Sequence, residues 1–270
     1  MPTLYVVATP IGNLEDITLR ALRVLKEVDL IAAEDTRKTR KLLSRYDIKT
    51  PLTSYHEGNE RTKLAYLLNQ LKEEDIALVS EAGMPGLSDP GYELIRAAIE
   101  QNIPVVPIPG PSAILTALAI SGLPTSQFSY LGFLPRKKGE RRRLLESLAN
   151  ESRTLVAFES PHRLLVTLKN LAETFGDRKI VICRELTKFH EEVFRGKIIE
   201  AINHFPEPRG EFTLVIEGKT QRAKTELTLE IREELRCLRQ QGITAKEATA
   251  RLSPITGIPQ KELYQAWLKL

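Results

Sequence analysis

Cysteine is scarce: Cys183 and Cys237 are the only two in 270 residues, and they form no Cys-x-x-Cys pair. The four histidines, His56, His162, His190 and His204, make no His-x-x-x-His spacing, so neither a disulfide framework nor a metal site is expected. Long apolar runs are missing as well. The longest candidate stretch, Ala113 to Ile120, falls far short of the roughly eighteen residues a membrane helix needs. The opening MPTLYVVATP carries no basic segment ahead of its apolar stretch, so it reads as a first strand rather than a secretion signal. A cytoplasmic protein without membrane contact is expected. None of the 15 glycines is separated from another by a single residue, and no Gly-x-x-x-x-Gly-Lys-Ser/Thr occurs. The dinucleotide fingerprint and the P-loop are both disfavoured.

What is present is a globular composition, 42% hydrophobic and 27% charged, which excludes intrinsic disorder. The length favours two domains. The net charge of +4 is unevenly placed. Arg136, Lys137, Lys138, Arg141, Arg142 and Arg143 against Glu140 concentrate +5 in one short stretch, leaving the rest of the chain close to neutral. Arg37, Lys38, Arg40, Lys41 and Arg45 form a second basic stretch after Asp35. Such runs are either solvated helix faces or grips for a polyanion.

Through residue 121, short β-branched runs alternate with helical periodicity. Strands are expected at Leu4–Ala8, Val28–Ala33, Leu52–Ser54, Ile76–Ser80 and Pro104–Ile108, which predicts a parallel sheet covered on both faces. The turn-rich Ser121-Gly122-Leu123-Pro124 is the expected domain boundary. Beyond it, strands at Phe128–Phe133, Thr154–Phe158, Ile180–Cys183 and Phe212–Ile216, with helices between, predict a second α/β domain to residue 222. From Thr225 only helical patterns remain. Ile231, Leu235 and Leu238 share a face, Thr244 to Glu247 is a capping box, and Pro259 suits a first helical turn. Residues 223–270 therefore form either a helix-turn-helix-like appendage or a helical cap.

Ligands of open parallel sheets bind beyond the carboxyl ends of the strands. Three loops there are rich in Gly and Pro: Thr9 to Asn13, Ser80 to Gly91, and Pro109 to Ala113. Together with AEDTR at Ala33 to Arg37, FESPHR at Phe158 to Arg163 and RELTKFHEE at Arg184 to Glu192, these loops resemble the tetrapyrrole methylase superfamily. Within it they resemble the branch that methylates a cytidine ribose 2′-oxygen in the decoding region of small-subunit ribosomal RNA. The porphyrin-modifying branch has Gly-Asp-Pro where Ala82-Gly83-Met84 stand here, which weakens a tetrapyrrole substrate.

The resemblance implies two α/β domains with a cleft between them, a small C-terminal helical domain, a homodimer, and S-adenosyl-L-methionine held in the cleft. It places Pro10, Gly12, Ser80, Ala82, Gly83, Ser112 and Ala113 at the cofactor from the first domain. From the second it places Phe158, Leu186, Glu211, Phe212 and Thr213. The implied partner is small-subunit ribosomal RNA, free or in the assembled subunit.

Methyl transfer to a weakly acidic hydroxyl needs in-line alignment and a proton acceptor. Glu159, at a strand end expected to face the cleft, is the first choice for that acceptor. Glu34, Asp35 and His56 are further candidates, with Asp35 equally suited to cap the next helix. Arg184 and Lys188 would lower the hydroxyl pKa or hold a phosphate, or simply pair with neighbouring acids. Arg37, Lys38, Arg136, Lys137, Lys138, Arg141, Arg142 and Arg143 are the expected RNA contacts. Tyr55, Tyr92, Tyr130 and Phe133 are either stacking surfaces or core. Two other readings stand beside this one: methylation of a tetrapyrrole or other small molecule, and a non-catalytic RNA-binding protein on the same fold.

Overall fold

β-branched and apolar runs of the first half pair side by side in the computed structural model, which describes residues 2–219, 227–256 and 258–270. The strands are β1 (Leu4–Val7), β2 (Leu30–Ala33), β3 (Leu52–Ser54), β4 (Ile76–Val79) and β5 (Val105–Ile108), in the order β3-β2-β4-β1-β5 and all parallel. Period-two alternation sends neighbouring side chains to opposite faces. Val7, Ile31, Val79 and Ile108 pack against Ala21, Val24 and Leu25 of α1 (Leu19–Glu27) and against Leu42 and Leu43 of α2 (Thr36–Arg45). Leu4, Leu30, Ile76 and Leu78 face the other way, onto Leu67 of α3 (Glu60–Gln70) and Leu94 and Ala98 of α4 (Tyr92–Glu100). Both faces are thus covered, as the near-continuous apolar character of the strands requires.

The next helix, α5 (Ala113–Ser121), turns its apolar side chains toward a second sheet. Ile114, Ala117 and Leu118 join Val156, Val181, Cys183 and Val215 in one core. That sheet contains β6 (Phe128–Phe133), β7 (Thr154–Glu159), β8 (Lys179–Arg184), β9 (Glu192–Lys197) and β10 (Phe212–Ile216), in the order β6-β7-β10-β8-β9. Its far face is covered by α6 (Lys138–Ser147), α7 (Pro161–Phe175) and α8 (Ile198–His204) around Leu155, Ala157, Leu168 and Leu214. Only β6 and β7 are parallel; β10 runs antiparallel to both β7 and β8, and β8 to β9. Few residues join β8 to β9, and a parallel crossover needs a dozen or more, so an antiparallel pair is the one that closes.

The chain divides into two compact units, Met1–Gly218 and Lys219–Leu270. The junction expected after residue 222 and the start of the helical pattern at Thr225 lie outside the described residues. In the smaller unit, α9 (Leu229–Gln240), α10 (Ala245–Thr256) and α11 (Gln260–Leu268) bury Leu235, Leu252, Ile258, Leu263 and Trp267 together. The capping box is formed: the Thr244 N–H donates to Glu247 Oε2 at 3.3 Å and the Glu247 N–H to Thr244 Oγ1 at 3.4 Å. No helix among the described residues is long and apolar enough to cross a membrane.

Candidate active site

The three Gly- and Pro-rich loops meet at the carboxyl ends of β1, β4 and β5. Thr9 and Gly83 exchange main-chain hydrogen bonds at 2.9 and 3.0 Å, zipping the first loop to the one after β4. Gly83 has φ +83°, a conformation that L side chains rarely adopt, and the buried Ser80 hydroxyl donates to its carbonyl at 3.3 Å. Opposite these loops lie the ends of β7, β8 and β10. Between the two sets is a cavity of about 300 Å³, at the lower end of the range that encloses small ligands.

Ala82, Gly83, Ser112 and Ala113 line the cavity from one side, and Phe158, Leu186, Glu211, Phe212 and Thr213 from the other. Pro10, Gly12 and Ser80, also expected at the cofactor, do not line it. A Cβ on Gly12 would come within 2.9 Å of the Leu186 carbonyl and 2.8 Å of Thr187 Oγ1, so the absence of a side chain there lets the two loops close. Small and apolar groups make most of the wall, with Ile11 and Met84 offering aliphatic surface, Phe158 a ring, and the loops nearby main chain. That donor set suits a nucleoside joined to an aliphatic amino-acid tail, as in S-adenosyl-L-methionine.

Glu159 corrects an expectation. Leu155 and Ala157 point to the α7 side of the sheet, and alternation turns the Glu159 side chain there too, so the residue borders the cavity while its carboxylate is engaged by α7. The carboxylate has no solvent exposure; it accepts from Thr167 Oγ1 at 2.6 Å and the Ser160 N–H at 2.8 Å, and pairs with Arg163 at 3.3 Å. Asp35 is the N-cap of α2, accepting from the Arg37 and Lys38 N–H groups at 2.8 and 3.3 Å, and those bonds hold its pKa low. His56 Nδ1 accepts from the Gly58 N–H at 3.2 Å. Glu34 accepts from the Glu81 N–H at 2.9 Å, and burial raises its pKa. Arg184 bonds the Arg209 carbonyl at 2.7 Å and Glu192 at 3.1 Å. Lys188 bridges Glu185 and Glu211 at 2.9 and 2.8 Å.

Sequence reasoning missed Asp89. It lies in the cavity wall within the loop after β4, where burial first and the charge of Glu34 second push its pKa up to about 6, against the pull of a Ser80 hydrogen bond. Read in sequence, Ser88-Asp89-Pro90-Gly91 signals a turn, and turns use Asp for their own backbone. The available clue was an acid placed inside the longest of three loops at one sheet edge.

The basic stretches are also corrected in part. Arg141 is buried: its Nε donates to Asn170 at 2.8 Å and a terminal nitrogen to the Pro135 and Arg136 carbonyls at 3.1 Å each. It staples α6 to the preceding loop and to α7 and is no RNA contact. Arg142 pairs with Glu146 at 2.7 Å, Lys137 with Glu140 at 3.2 Å, and Arg143 reaches the Gly139 carbonyl at 3.4 Å. Arg136 and Lys138 are exposed without anionic partners among the described residues. In the second stretch Arg37 pairs with Asp35 at 3.5 Å and Lys38 with Glu81, while Arg40 and Lys41 stay outward. Of the aromatics, Tyr55 is core, Tyr130 stacks edge-on against Phe158, Tyr92 is exposed, and Phe133 is 55% exposed at the cavity.

Two facing α/β layers that share one cavity at their strand ends define a class of methylase fold. The methyltransferase CobJ superposes with a TM-score of 0.62 at 18% identity, over 82% of this chain and 96% of that one. A uroporphyrin-III C-methyltransferase from Thermus thermophilus complexed with S-adenyl homocysteine gives 0.58 at 20% identity, over 80% and 97%. Residues 3–202 match the tetrapyrrole (corrin/porphyrin) methylases, and the chain belongs to that family. It is similar over its whole length to proteins called ribosomal RNA small subunit methyltransferase I. Identity is 49% to that of Synechocystis sp., covering 100% of this chain and 99% of the relative, and 45% to that of Bacillus subtilis, covering 99% and 94%. The Thermotoga maritima relative is 54% identical over 81% of this chain and 100% of its own length.

Proposed function

We propose that this protein transfers a methyl group from S-adenosyl-L-methionine to the ribose 2′-oxygen of a cytidine in the decoding region of small-subunit ribosomal RNA. It acts in the cytoplasm, as a homodimer, on free RNA or on the assembled subunit. The observation that carries this reading is similarity along the full chain, at 49% and 45% identity to two of them, to proteins called ribosomal RNA small subunit methyltransferase I, joined to a cavity whose walls suit the cofactor.

In this reading Ala82, Gly83, Ser112 and Ala113 hold the cofactor from one side and Phe158, Leu186, Phe212 and Thr213 from the other. When bound, S-adenosyl-L-methionine supplies a methyl group made electrophilic by its sulfonium. The chain must then bring the ribose oxygen into line and keep water away. Met84, Leu87 and Phe133 surround the opening with apolar surface. Phe133 presents a ring face on which an unstacked base can lie. Arg136, Lys138, Arg40 and Lys41 supply charge for flanking phosphates, which makes affinity fall steeply with salt.

The test is transfer of labelled methyl from S-adenosyl-L-methionine to ribosomal RNA or small subunits, mapped as a new position resistant to alkaline cleavage. Only a blocked 2′-oxygen gives that resistance. Transfer to a porphyrinoid without transfer to RNA would overturn the reading.

A further inference from the structure

A hydroxyl that attacks a methyl group must lose its proton, and the cavity wall holds three acids, Asp89, Glu159 and Glu211. Glu159 turns its carboxylate into α7, where Arg163 and Thr167 engage it. Glu211 is ion-paired with Lys188 at 2.8 Å. Asp89 alone among them has no cationic partner among the described residues. The charged and titratable groups around it are Glu34 at the end of β2, with Lys38, Asp35 and His56 next to Glu34, and Tyr130 from β6.

The loop that carries Asp89 is pinned on several sides. The Gly86 N–H donates to the Pro90 carbonyl at 3.2 Å, and the Gly91 N–H donates to Glu60 Oε1 at 3.2 Å. Ser88, at φ +67°, shares a 2.6 Å hydrogen bond with the Tyr130 hydroxyl across the cleft. Gly132 leaves room for that contact, since a Cβ there would stand 3.1 Å from Ser88 Oγ. Positive φ in a serine is a strained conformation kept only when its surroundings over-determine it. Here the strain fixes the residue next to the one acid of the three that has no cationic partner among the described residues.

We propose that the Asp89 carboxylate accepts the proton of the ribose 2′-hydroxyl, an inference that rests on the methyl transfer proposed above. As the 2′-oxygen forms its bond to the methyl carbon, the methyl–sulfur bond breaks and its electron pair stays on sulfur, which becomes a neutral thioether. The O–H bond breaks with its pair left on oxygen, and the proton goes to Asp89 and then to solvent. A carboxyl titrating at about 6 is ionised in most molecules at neutral pH, yet is more basic than an ordinary aspartate.

The experiment compares the full-length wild type, Asp89→Asn, Asp89→Glu and Glu34→Gln in single-turnover methyl transfer to small-subunit RNA across pH 5–8.5. Cofactor affinity is measured by calorimetry, and carboxyl protonation by difference infrared spectroscopy. Asp89→Asn should lower the rate about a hundredfold or more at every pH, with cofactor affinity within about twofold, while Asp89→Glu recovers part of the rate. Glu34→Gln, which removes the negative charge beside Asp89, should move the acid limb of the rate profile to lower pH. The infrared band of a carboxyl titrating near pH 6 should vanish in Asp89→Asn, a readout that needs no turnover. An Asp89→Asn enzyme as fast as wild type, or one that keeps the band, overturns the assignment alone. A wild type that methylates no ribosomal RNA overturns the underlying reading, and the assignment with it.

Discussion

The Asn13 N–H donates to Thr187 Oγ1 at 3.0 Å, joining the loop after β1 to the loop after β8, 174 residues away. Next to this bond Gly12 sits where a Cβ would clash with Lys188 Cγ and meet the Leu186 carbonyl at 2.9 Å. A lysine side chain can swing aside, but a carbonyl cannot without moving its loop. Gly12→Ala should therefore weaken cofactor binding at least tenfold, equivalent to ~1.4 kcal/mol. Calorimetric titration checks this, and unchanged affinity would mean the loops part without cost.

Glu159 and Asp89 should separate in their effects. Removing a fully buried carboxylate takes the anionic partner from Arg163, which keeps only main-chain acceptors, and leaves the Thr167 hydroxyl without its acceptor, so Glu159→Ala should cost about 2–3 kcal/mol of stability, read by urea denaturation. The enzyme that remains folded should keep the acid limb of its rate profile. Loss of that limb in Glu159→Ala would return Glu159 to the reaction.

Asp89 also links pH to stability. Its carboxyl titrates at about 6 in the folded chain against an ordinary 3.8, so folding favours the protonated form. That contribution is complete below pH 3.8 and is lost as pH rises through 6. Asp89→Asn, which cannot ionise, should melt about 2–4 °C higher than wild type at pH 8, corresponding to ~1 kcal/mol after discounting for the partial exposure of the group. The gap should close at pH 4. A wild type that melts higher at pH 8 contradicts the sign.

The cations should divide into structural and binding groups. Arg141→Ala removes three hydrogen bonds from a buried guanidinium and should cost about 2–3 kcal/mol in denaturant titration. Arg136→Ala with Lys138→Ala should leave stability unchanged and reduce the slope of log affinity for single-stranded RNA against log salt by about 1.4. An unchanged slope would make this stretch a solvated face.

The strands of the first sheet were readable because apolar runs end at turn formers. Leu52–Ser54, Phe128–Phe133 and Phe212–Ile216 fall where the pattern puts them, and the other expected strands shift by a residue or two. The place of β10 between β7 and β8 was not readable, since strand order depends on partners far apart in sequence. The same limit explains Arg141, whose partner Asn170 lies 29 residues on, and Glu159, whose alternation was visible but not which face met the cleft. Nine of the twelve expected cofactor residues line the cavity, four of them in the Gly- and Pro-rich loops after β4 and β5 and five at or near the ends of β7, β8 and β10.

The cavity draws its walls from Ile11 at one extreme and Thr213 at the other. On the ribosome, β1 to β5 can pair once Ile108 has emerged, whereas β10, in the middle of its sheet, is the last strand made. Until then β7 and β8 have no neighbour between them, and the half-built sheet exposes two edges. The binding site is thus completed only at the end of synthesis of the larger unit, and cofactor can stabilise that finished unit but no nascent chain that still lacks β10.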